Sequence, residues 1–175
     1  MSEIILRDWQ QQVLDKAINY WDDGGDKHFL IEAAPAAGKT IAGCVIAKQL
    51  HMENKIDRSI ILAPQRTVID DWARDFSKIT GLPMERITGN DHSYENFEVN
   101  ICSSWAALSG MTDLIQAICR KEKVLVICDE IHHATIEAAW GEAADSAFAD
   151  AKYSLILTGT PMRSDGKGCL WLDLI

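Results

Sequence analysis

Short apolar runs alternate with helix-like segments along this chain, and that alternation restricts its fold more than any other feature. Five runs of β-branched and other apolar residues, each bounded by turn formers, occupy 28–32, 59–63, 98–102, 123–128 and 153–158. Such runs are typical of strands buried on both faces of a sheet. Residues 40–53 and 68–79 instead carry apolar residues at helical spacing. The alternation predicts a three-layer α/β domain with a mostly parallel central sheet.

The remaining segments set the limits of this domain. Residues 81–97 are rich in turn formers and are expected to form a loop with at most one short strand. At 175 residues the chain has the length of about one domain. No apolar run approaches the roughly 20 residues that a membrane span needs. Residues 1–7 lack the basic and apolar regions of a signal peptide, so a cytoplasmic location is expected.

The balance of charges argues against a generally basic surface that would coat nucleic acid. The chain has 17 basic and 26 acidic side chains and a net charge of −9. A protein that grips one strand needs only a local patch, and two clusters could supply it. These clusters are Arg66, Arg74 and Lys78, and Arg120, Lys121 and Lys123, of which the second is more typical of a solvated face.

The five cysteines are scattered and form no Cys-x-x-Cys pair. Three of them lie within apolar stretches. They are therefore predicted to be reduced, buried thiols, and neither a disulfide framework nor a metal site is expected.

A loop that could hold phosphate joins the first predicted strand to the first helix of the alternating pattern. Its sequence, at 33–40, is Ala-Ala-Pro-Ala-Ala-Gly-Lys-Thr. Loop amides and the positive helix N-terminus would cradle phosphates, Lys39 would reach the β and γ phosphates, and the Thr40 hydroxyl would hold Mg²⁺. The loop residues predicted to bind ATP are Ala36, Ala37, Gly38, Lys39 and Thr40.

Two alanines in this loop depart from related phosphate loops. Ala33 stands where the general pattern has glycine, and Ala36 stands where loops of the form Ala-Ala-Pro-Gly-Ala-Gly-Lys-Thr have glycine. If position 36 requires a positive φ, alanine there costs on the order of 1 kcal/mol and would weaken nucleotide binding. The alternative is an alanine-rich turn that binds nothing.

A pair of acidic residues follows the run at 123–128. Asp129 and Glu130 should emerge at the carboxyl edge of the sheet, where ligands of such sheets bind. Asp129 could ligate Mg²⁺, largely through water, and Glu130 could deprotonate an attacking water molecule. The adjacent His132 and His133 would point in opposite directions in an extended segment and have no partner at ligand spacing, so a metal site there is not favoured.

These motifs together resemble a known family. A phosphate loop, then Asp129-Glu130-Ile131-His132, then Thr158-Gly159-Thr160-Pro161 is similar to the first RecA-like lobe of superfamily 2 DExH-type helicases and translocases. The resemblance covers nearly the whole chain. It implies ATP and Mg²⁺ as cofactors, Lys39, Asp129 and Glu130 as catalytic residues, and His132, Thr158 and Thr160 as residues that couple the ATP site to the nucleic acid.

The same resemblance extends to the N-terminal segment. Residues 6–10, Leu-Arg-Asp-Trp-Gln, resemble the family's Leu-Arg-x-aromatic-Gln sequence, whose glutamine reads adenine. Gln10 therefore inherits that role, and Arg7 is assigned to the ATP site with it. A side-chain amide can pair with adenine N6 and N7. The alternative is an amphipathic first helix with a surface glutamine.

Nucleic-acid contacts are implied after two other predicted strands. Residues 62–66 resemble the segment that contacts the tracked strand, which makes Gln65 and Arg66 the predicted phosphate contacts. Ser103 and Ser104 match a second such segment more weakly, and an ordinary strand-end serine pair is an open alternative. The sequence Arg-Ser-Asp-Gly at 163–166 resembles that of DNA-repair and restriction-type members and favours DNA over RNA.

The six tryptophans form a further group of candidates. They could stack bases, but most are expected to be core residues or half-buried helix anchors. Base stacking stays open chiefly for Trp105, which follows the serine pair.

In the family that the chain resembles, a second lobe carries arginine fingers. The 175 residues leave no room for that lobe. The chain is therefore expected to be an excised first lobe, 1–175, more than a truncated gene product, and the second lobe is an implied partner. Two rival functions are a phosphate-loop kinase of a small molecule and a non-hydrolysing module that binds ATP and nucleic acid. The kinase has no need of the motifs at 129–132 and 158–160.

Overall fold

The computed structural model describes residues 6–25, 27–32, 38–87, 100–108, 110–129 and 147–158. The helices in these ranges are α1 (Asp8–Asp22), α2 (Lys39–Met52), α3 (Arg66–Thr80), α4 (Trp105–Leu108) and α5 (Thr112–Lys121). The strands are β1 (His28–Glu32), β2 (Arg58–Ala63), β3 (Met84–Ile87), β4 (Asn100–Ser104), β5 (Val124–Asp129) and β6 (Tyr153–Thr158).

The described strands form one sheet in the order β1-β6-β5-β2-β4-β3. All of the pairings between these strands are parallel. Parallel strands require crossover connections, and within the described ranges α2 connects β1 to β2, α3 connects β2 to β3, and α4 and α5 connect β4 to β5. The predicted α/β class with a parallel sheet is confirmed.

Side chains alternate between the two faces of the sheet and divide the core into two clusters. On β5, Leu125 and Ile127 pack with buried residues of α1, α2 and α3. Val124, Val126 and Cys128 of the same strand pack with residues of α4 and α5 on the other face. The chain therefore forms three layers, as the alternating pattern predicted.

The sequence patterns match the observed elements closely. Each of the five apolar runs overlaps a strand, and β3 is the short strand allowed within 81–97. The third run was expected to start at 98, but residues 88–99 lie outside the described part of the chain. Helix α3 begins at Arg66, before the predicted start at 68, because its exposed first turn is polar and carries no apolar signal.

A glycine sets the C-terminal end of helix α3. Its apolar stripe is buried, and the following Gly81 adopts a left-handed φ of 75° that ends the helix. In the described ranges, no helix combines the length and apolar character needed to cross a bilayer.

The cysteines of the described chain lie in the core, as the sequence predicted. Cys44, Cys102, Cys119 and Cys128 are all buried. Burial raises the pKa of the Cys44 and Cys102 thiols well above the ordinary value, with smaller contributions from nearby acidic groups. Burial likewise raises the pKa of Cys119 to about 12. Because the thiolate is the reactive form, these thiols should be inert at neutral pH.

We therefore expect slow thiol chemistry in the folded chain. With an excess of a chromogenic disulfide reagent at neutral pH, the four buried cysteines should react only as the protein opens, whereas all five should react at once in concentrated guanidinium chloride. Cys169 lies outside the described residues. A fast reaction of this one thiol is compatible with the prediction. Two or more fast thiols in the native protein would contradict the described core.

Candidate active site

The three sequence motifs follow three neighbouring strands of the sheet. β6 lies between β1 and β5, and Glu32 pairs with Thr158 while Asp129 pairs with Leu157. The phosphate loop, the Thr-Gly-Thr segment and the Asp-Glu segment therefore all begin at the same carboxyl edge. Ligands of open parallel sheets bind at this edge. The topology thus brings together residues that lie far apart in the sequence.

The described end of the phosphate loop leads directly into helix α2. Gly38 precedes the helix with φ 94° and ψ 32°, a left-handed conformation that glycine adopts without strain. Lys39 and the half-buried Thr40 are the first two helical residues. Their backbone N–H groups belong to the first turn, where a helix presents unpaired donors and a positive dipole to an anion.

Lys39 and Asp129 form an ion pair across this edge. Nζ of Lys39 lies 3.6 Å from Oδ1 of Asp129, and their side chains are only 11% and 7% exposed. Both charges are thus largely removed from water, so each depends on its protein partners for stabilisation. The structure brings these two predicted catalytic residues together from the start of α2 and the end of β5.

Two tryptophans also contact Asp129. The indole Nε1 of Trp72, on α3, donates a hydrogen bond to Oδ2 at 2.9 Å. The indole Nε1 of Trp105, at the start of α4, donates to the backbone carbonyl of Asp129 at 3.3 Å. Both tryptophans are fully buried, so the core role expected for most tryptophans is confirmed for them and Trp105 is not exposed for base stacking.

Sequence reasoning missed these indole contacts. Trp72 was identified only as part of an apolar helical stripe, and no residue spacing relates it to Asp129. The only available signal was indirect. A strand-end carboxylate that is predicted to be buried needs donors, and a buried tryptophan must place its N–H on an acceptor.

Gln10 connects the first helix to the phosphate loop. The residue is only 3% exposed, so the alternative of a surface glutamine is wrong. Its Nε2 donates to the Gly38 carbonyl at 3.0 Å, and its Oε1 accepts the Arg7 backbone N–H at 2.8 Å. The Arg7 side chain also approaches Gly38, with Nη1 3.9 Å from the position of an added Cβ. The predicted adenine-reading pair therefore lies beside the end of the loop.

The predicted nucleic-acid contacts differ in exposure. Gln65 and Arg66 are exposed at the N-terminus of α3, just after β2. Ser103 is buried and donates to the Ser104 carbonyl at 3.0 Å, whereas the Ser104 hydroxyl accepts the Ala107 N–H at 3.0 Å at the start of α4. The two serines thus have local partners, as an ordinary strand-end pair would, while Gln65 and Arg66 face outward.

Several predicted site residues lie outside the described residues, and their assignments stay predictions. They are Ala36, Ala37, Glu130, His132 and Thr160. Thr158 is the last residue of β6.

A six-stranded parallel sheet with helices on both faces is the fold of RecA-like helicase lobes. The family model described as "Type III restriction enzyme, res subunit" matches residues 3–163, and the chain belongs to that family.

Curated relatives agree over most of the chain. An uncharacterized protein of Mycobacterium leprae is 29% identical over 163 residues, which cover 93% of this chain and 26% of the relative. A protein named putative DNA 3'-5' helicase Rad25, from Halobacterium salinarum, is 26% identical over 93% of this chain and 24% of its own length. The chain therefore spans about a quarter of the length of the curated relatives that it matches.

Solved structures share the fold. The SWI2/SNF2 ATPase core of Sulfolobus solfataricus, solved in complex with dsDNA, superposes with a TM-score of 0.76 at 21% identity, covering 93% of this chain and 33% of that one. The Hef helicase domain of Pyrococcus furiosus gives a TM-score of 0.69 at 20% identity, with coverages of 91% and 34%.

The contact between Gly38 and Gln10 yields a prediction. A Cβ at position 38 would lie 2.5 Å from Nε2 of Gln10, in a backbone with φ 94°. Gly38→Ala should therefore cost about 1–2 kcal/mol for the left-handed backbone and about 1 kcal/mol more for the lost hydrogen bond. Urea denaturation measures both costs.

Gly81→Ala is the matched control. Gly81 has a similar φ of 75°, but an added Cβ there meets no atom within 4 Å. This variant should lose only the backbone component. Equal losses of stability in the two variants would show that the contact between Gln10 and the loop contributes nothing.

Proposed function

We propose that the chain is the ATP-binding lobe of a nucleic-acid-dependent ATPase, a helicase or translocase that couples hydrolysis of Mg-ATP to strand tracking or unwinding. The observation that carries this proposal is the buried pair of Lys39 and Asp129 at the edge where the three motif strands end. A phosphate-binding lysine and a metal-binding carboxylate must lie this close to act on one nucleotide.

The described residues fit a magnesium-bound triphosphate. Asp129 and Thr40 offer oxygen donors, which Mg²⁺ prefers, and Lys39 offers a cation for phosphate. A side chain at Gly38 would intrude on Gln10, so glycine at this position lets Gln10 pack against the end of the loop. When bound, Mg²⁺ would supply positive charge that neutralises the negative charge developing on the phosphates during transfer.

In this proposal, nucleotide binding exchanges partners within the pair. The Lys39 ammonium would leave the Asp129 carboxylate for the phosphates, and the Asp129 carboxylate would then be available to hold Mg²⁺. Glu130, next in sequence, is proposed to accept a proton from the attacking water. His132, Thr158 and Thr160 are proposed to link this chemistry to the nucleic-acid face, since Thr158 ends the strand between β1 and β5.

DNA is the proposed nucleic acid. The exposed Gln65 and Arg66 lie at the N-terminus of a 15-residue helix, where backbone N–H groups can also bind a phosphate. The support for DNA over RNA is the Arg-Ser-Asp-Gly sequence at 163–166, together with a relative named as a DNA helicase. The net charge of −9 means that binding would rest on such local contacts.

Lys39→Ala tests the nucleotide assignment. Loss of the cation on the β and γ phosphates should weaken ATP binding by about 10- to 100-fold, the equivalent of about 1.5–3 kcal/mol. The measurement is a titration with a fluorescent ATP analogue. Lys48→Ala removes the same charge from the same helix, away from the loop, and should bind like the wild type. Unchanged affinity in Lys39→Ala would contradict the phosphate-loop assignment.

We further propose that a second RecA-like lobe of the same protein completes the site. Arginine fingers contribute on the order of 10³ to 10⁵ in rate in phosphate-loop enzymes. The 175-residue chain should therefore bind adenine nucleotide weakly, hydrolyse it barely, and respond little to DNA in single-turnover assays. A longer protein with both lobes should show DNA-stimulated hydrolysis.

Two outcomes would redirect this proposal. Turnover near one per second by the 175-residue chain alone would show that it completes its own site. Binding without hydrolysis in the two-lobed protein would favour the non-hydrolysing module.

A further inference from the structure

Asp129 receives an indole hydrogen bond from each of two different segments. Trp72 lies on α3, the helix that begins with the exposed Arg66. Trp105 directly follows the strand-end serines of β4. Both segments leave the carboxyl edge of the sheet beside β5, because β2 lies between β5 and β4. Each candidate nucleic-acid segment is thus joined to the same aspartate by one tryptophan.

The two oxygens of the Asp129 carboxylate have different partners. Oδ2 accepts the Trp72 N–H at 2.9 Å, and Oδ1 faces the Lys39 ammonium at 3.6 Å. An indole N–H is a neutral donor, so it orients the carboxylate without cancelling its charge. A carboxylate held at one oxygen presents the other in a fixed direction. Trp72 therefore determines which way Oδ1 points.

The Trp72 ring has little freedom to move. It is fully buried, and its far edge lies against Gly43 of α2. A Cβ added at Gly43 would come within 2.7 Å of Cη2 of Trp72 and within 3.6 Å of Leu157 on β6. The ring is thus wedged between α2 and Asp129. A shift of α3 must move the indole N–H relative to the carboxylate, since close-packed side chains transmit displacement.

We propose that Trp72 is a positioning residue that sets the orientation of the Asp129 carboxylate and joins the nucleic-acid end of α3 to the magnesium site. This proposal rests on the proposed function, because it assigns Asp129 to Mg²⁺. It assigns Trp105 a lesser role, since its longer bond holds the backbone of Asp129 and not the carboxylate. By linkage, nucleic acid that shifts α3 changes Mg-nucleotide affinity, and Mg-nucleotide changes nucleic-acid affinity by the same factor.

The test compares Trp72→Phe with Trp21→Phe. Trp21 is the matched control because its Nε1 also donates to a protein acceptor, the Lys27 carbonyl at 3.0 Å, on α1 and remote from Asp129. Affinity of the 175-residue chain for a fluorescent ATP analogue is measured in EDTA and over a Mg²⁺ titration. In Trp72→Phe, the affinity in EDTA should stay within about twofold, while the gain on adding Mg²⁺ should fall about 3- to 10-fold. Trp21→Phe should change neither quantity.

A second variant keeps the indole but displaces it. Gly43→Ala pushes on the Trp72 ring from α2 and should reduce the Mg²⁺-dependent gain in the same way. The double variant Gly43→Ala with Trp72→Phe should lose no more than either single variant, because phenylalanine leaves room for the new methyl group. If Trp72→Phe fails to fold, Gly43→Ala alone still tests the positioning role of Trp72.

Combination with Asp129→Asn identifies the partner. If Trp72 acts through the carboxylate, Trp72→Phe should add no loss of Mg²⁺ dependence in the Asp129→Asn background. Additive losses would overturn the proposal, as would a Trp72→Phe variant that behaves like Trp21→Phe.

The titration of the wild type distinguishes failure of the positioning role from failure of the proposed function. If wild type gains affinity with Mg²⁺ and Trp72→Phe gains as much, the positioning role alone is overturned. If the wild type itself shows no Mg²⁺-dependent binding of the analogue, the proposed function fails, and the role of Trp72 fails with it.

Discussion

Parallel pairing of β6 with both β1 and β5 is the constraint on which the site depends. Because neighbouring parallel strands end at the same edge, this one pairing arrangement places the ends of three motifs side by side. An antiparallel strand would send its motif to the opposite edge, and a different order of parallel strands would separate the motifs along the same edge. The buried apolar faces of β5 and β6 stabilise the pairing, so the core and the site share one cause.

At the carboxyl edge of the sheet, the charges of Lys39 and Asp129 neutralise one another. Asp129 and Lys39 lie near each other, and both are mostly shielded from water. Such a pair offsets the desolvation of each group, but it also competes with a ligand that would take either of them. In the proposed function, a nucleotide would have to supply enough contacts to replace this pair. The two indole donors keep Asp129 in place during such an exchange, because they are neutral and packed in the core.

The fold could be predicted from the sequence, because the signals that specify it are local. Runs such as 153–158 are apolar throughout, and the stripe in α3 repeats at helical spacing, so element type follows from composition and period. Gly38 and Lys39 were selected as candidate site residues because their motif spans a strand and a helix. The strand order was not available from periodicity, and neither were the contacts that it creates.

The parts that sequence reasoning missed depend on long-range geometry. The burial of Gln10 follows from the docking of α1 against the loop, and no pattern in residues 6–10 distinguishes that from an exposed helix start. The hydrogen bond from Trp72 to Asp129 joins α3 to β5, two elements that lie far apart in the sequence. For Ser103, which the family resemblance suggested as a nucleic-acid contact, the structure shows a buried hydroxyl that donates to the Ser104 carbonyl, a partner that the sequence does not predict.

The position of β1 also has a consequence for the way the chain is made. Among the described strands, β1 pairs only with β6, which is the last strand in the sequence. During synthesis from the N-terminus, β2, β3, β4 and β5 can assemble with one another while β1 still has no neighbour in the sheet. The strand that carries the phosphate loop can join only after residues 153–158 have left the ribosome. The proposed nucleotide site is therefore at the last part of the sheet to close, although its loop is among the first segments synthesised.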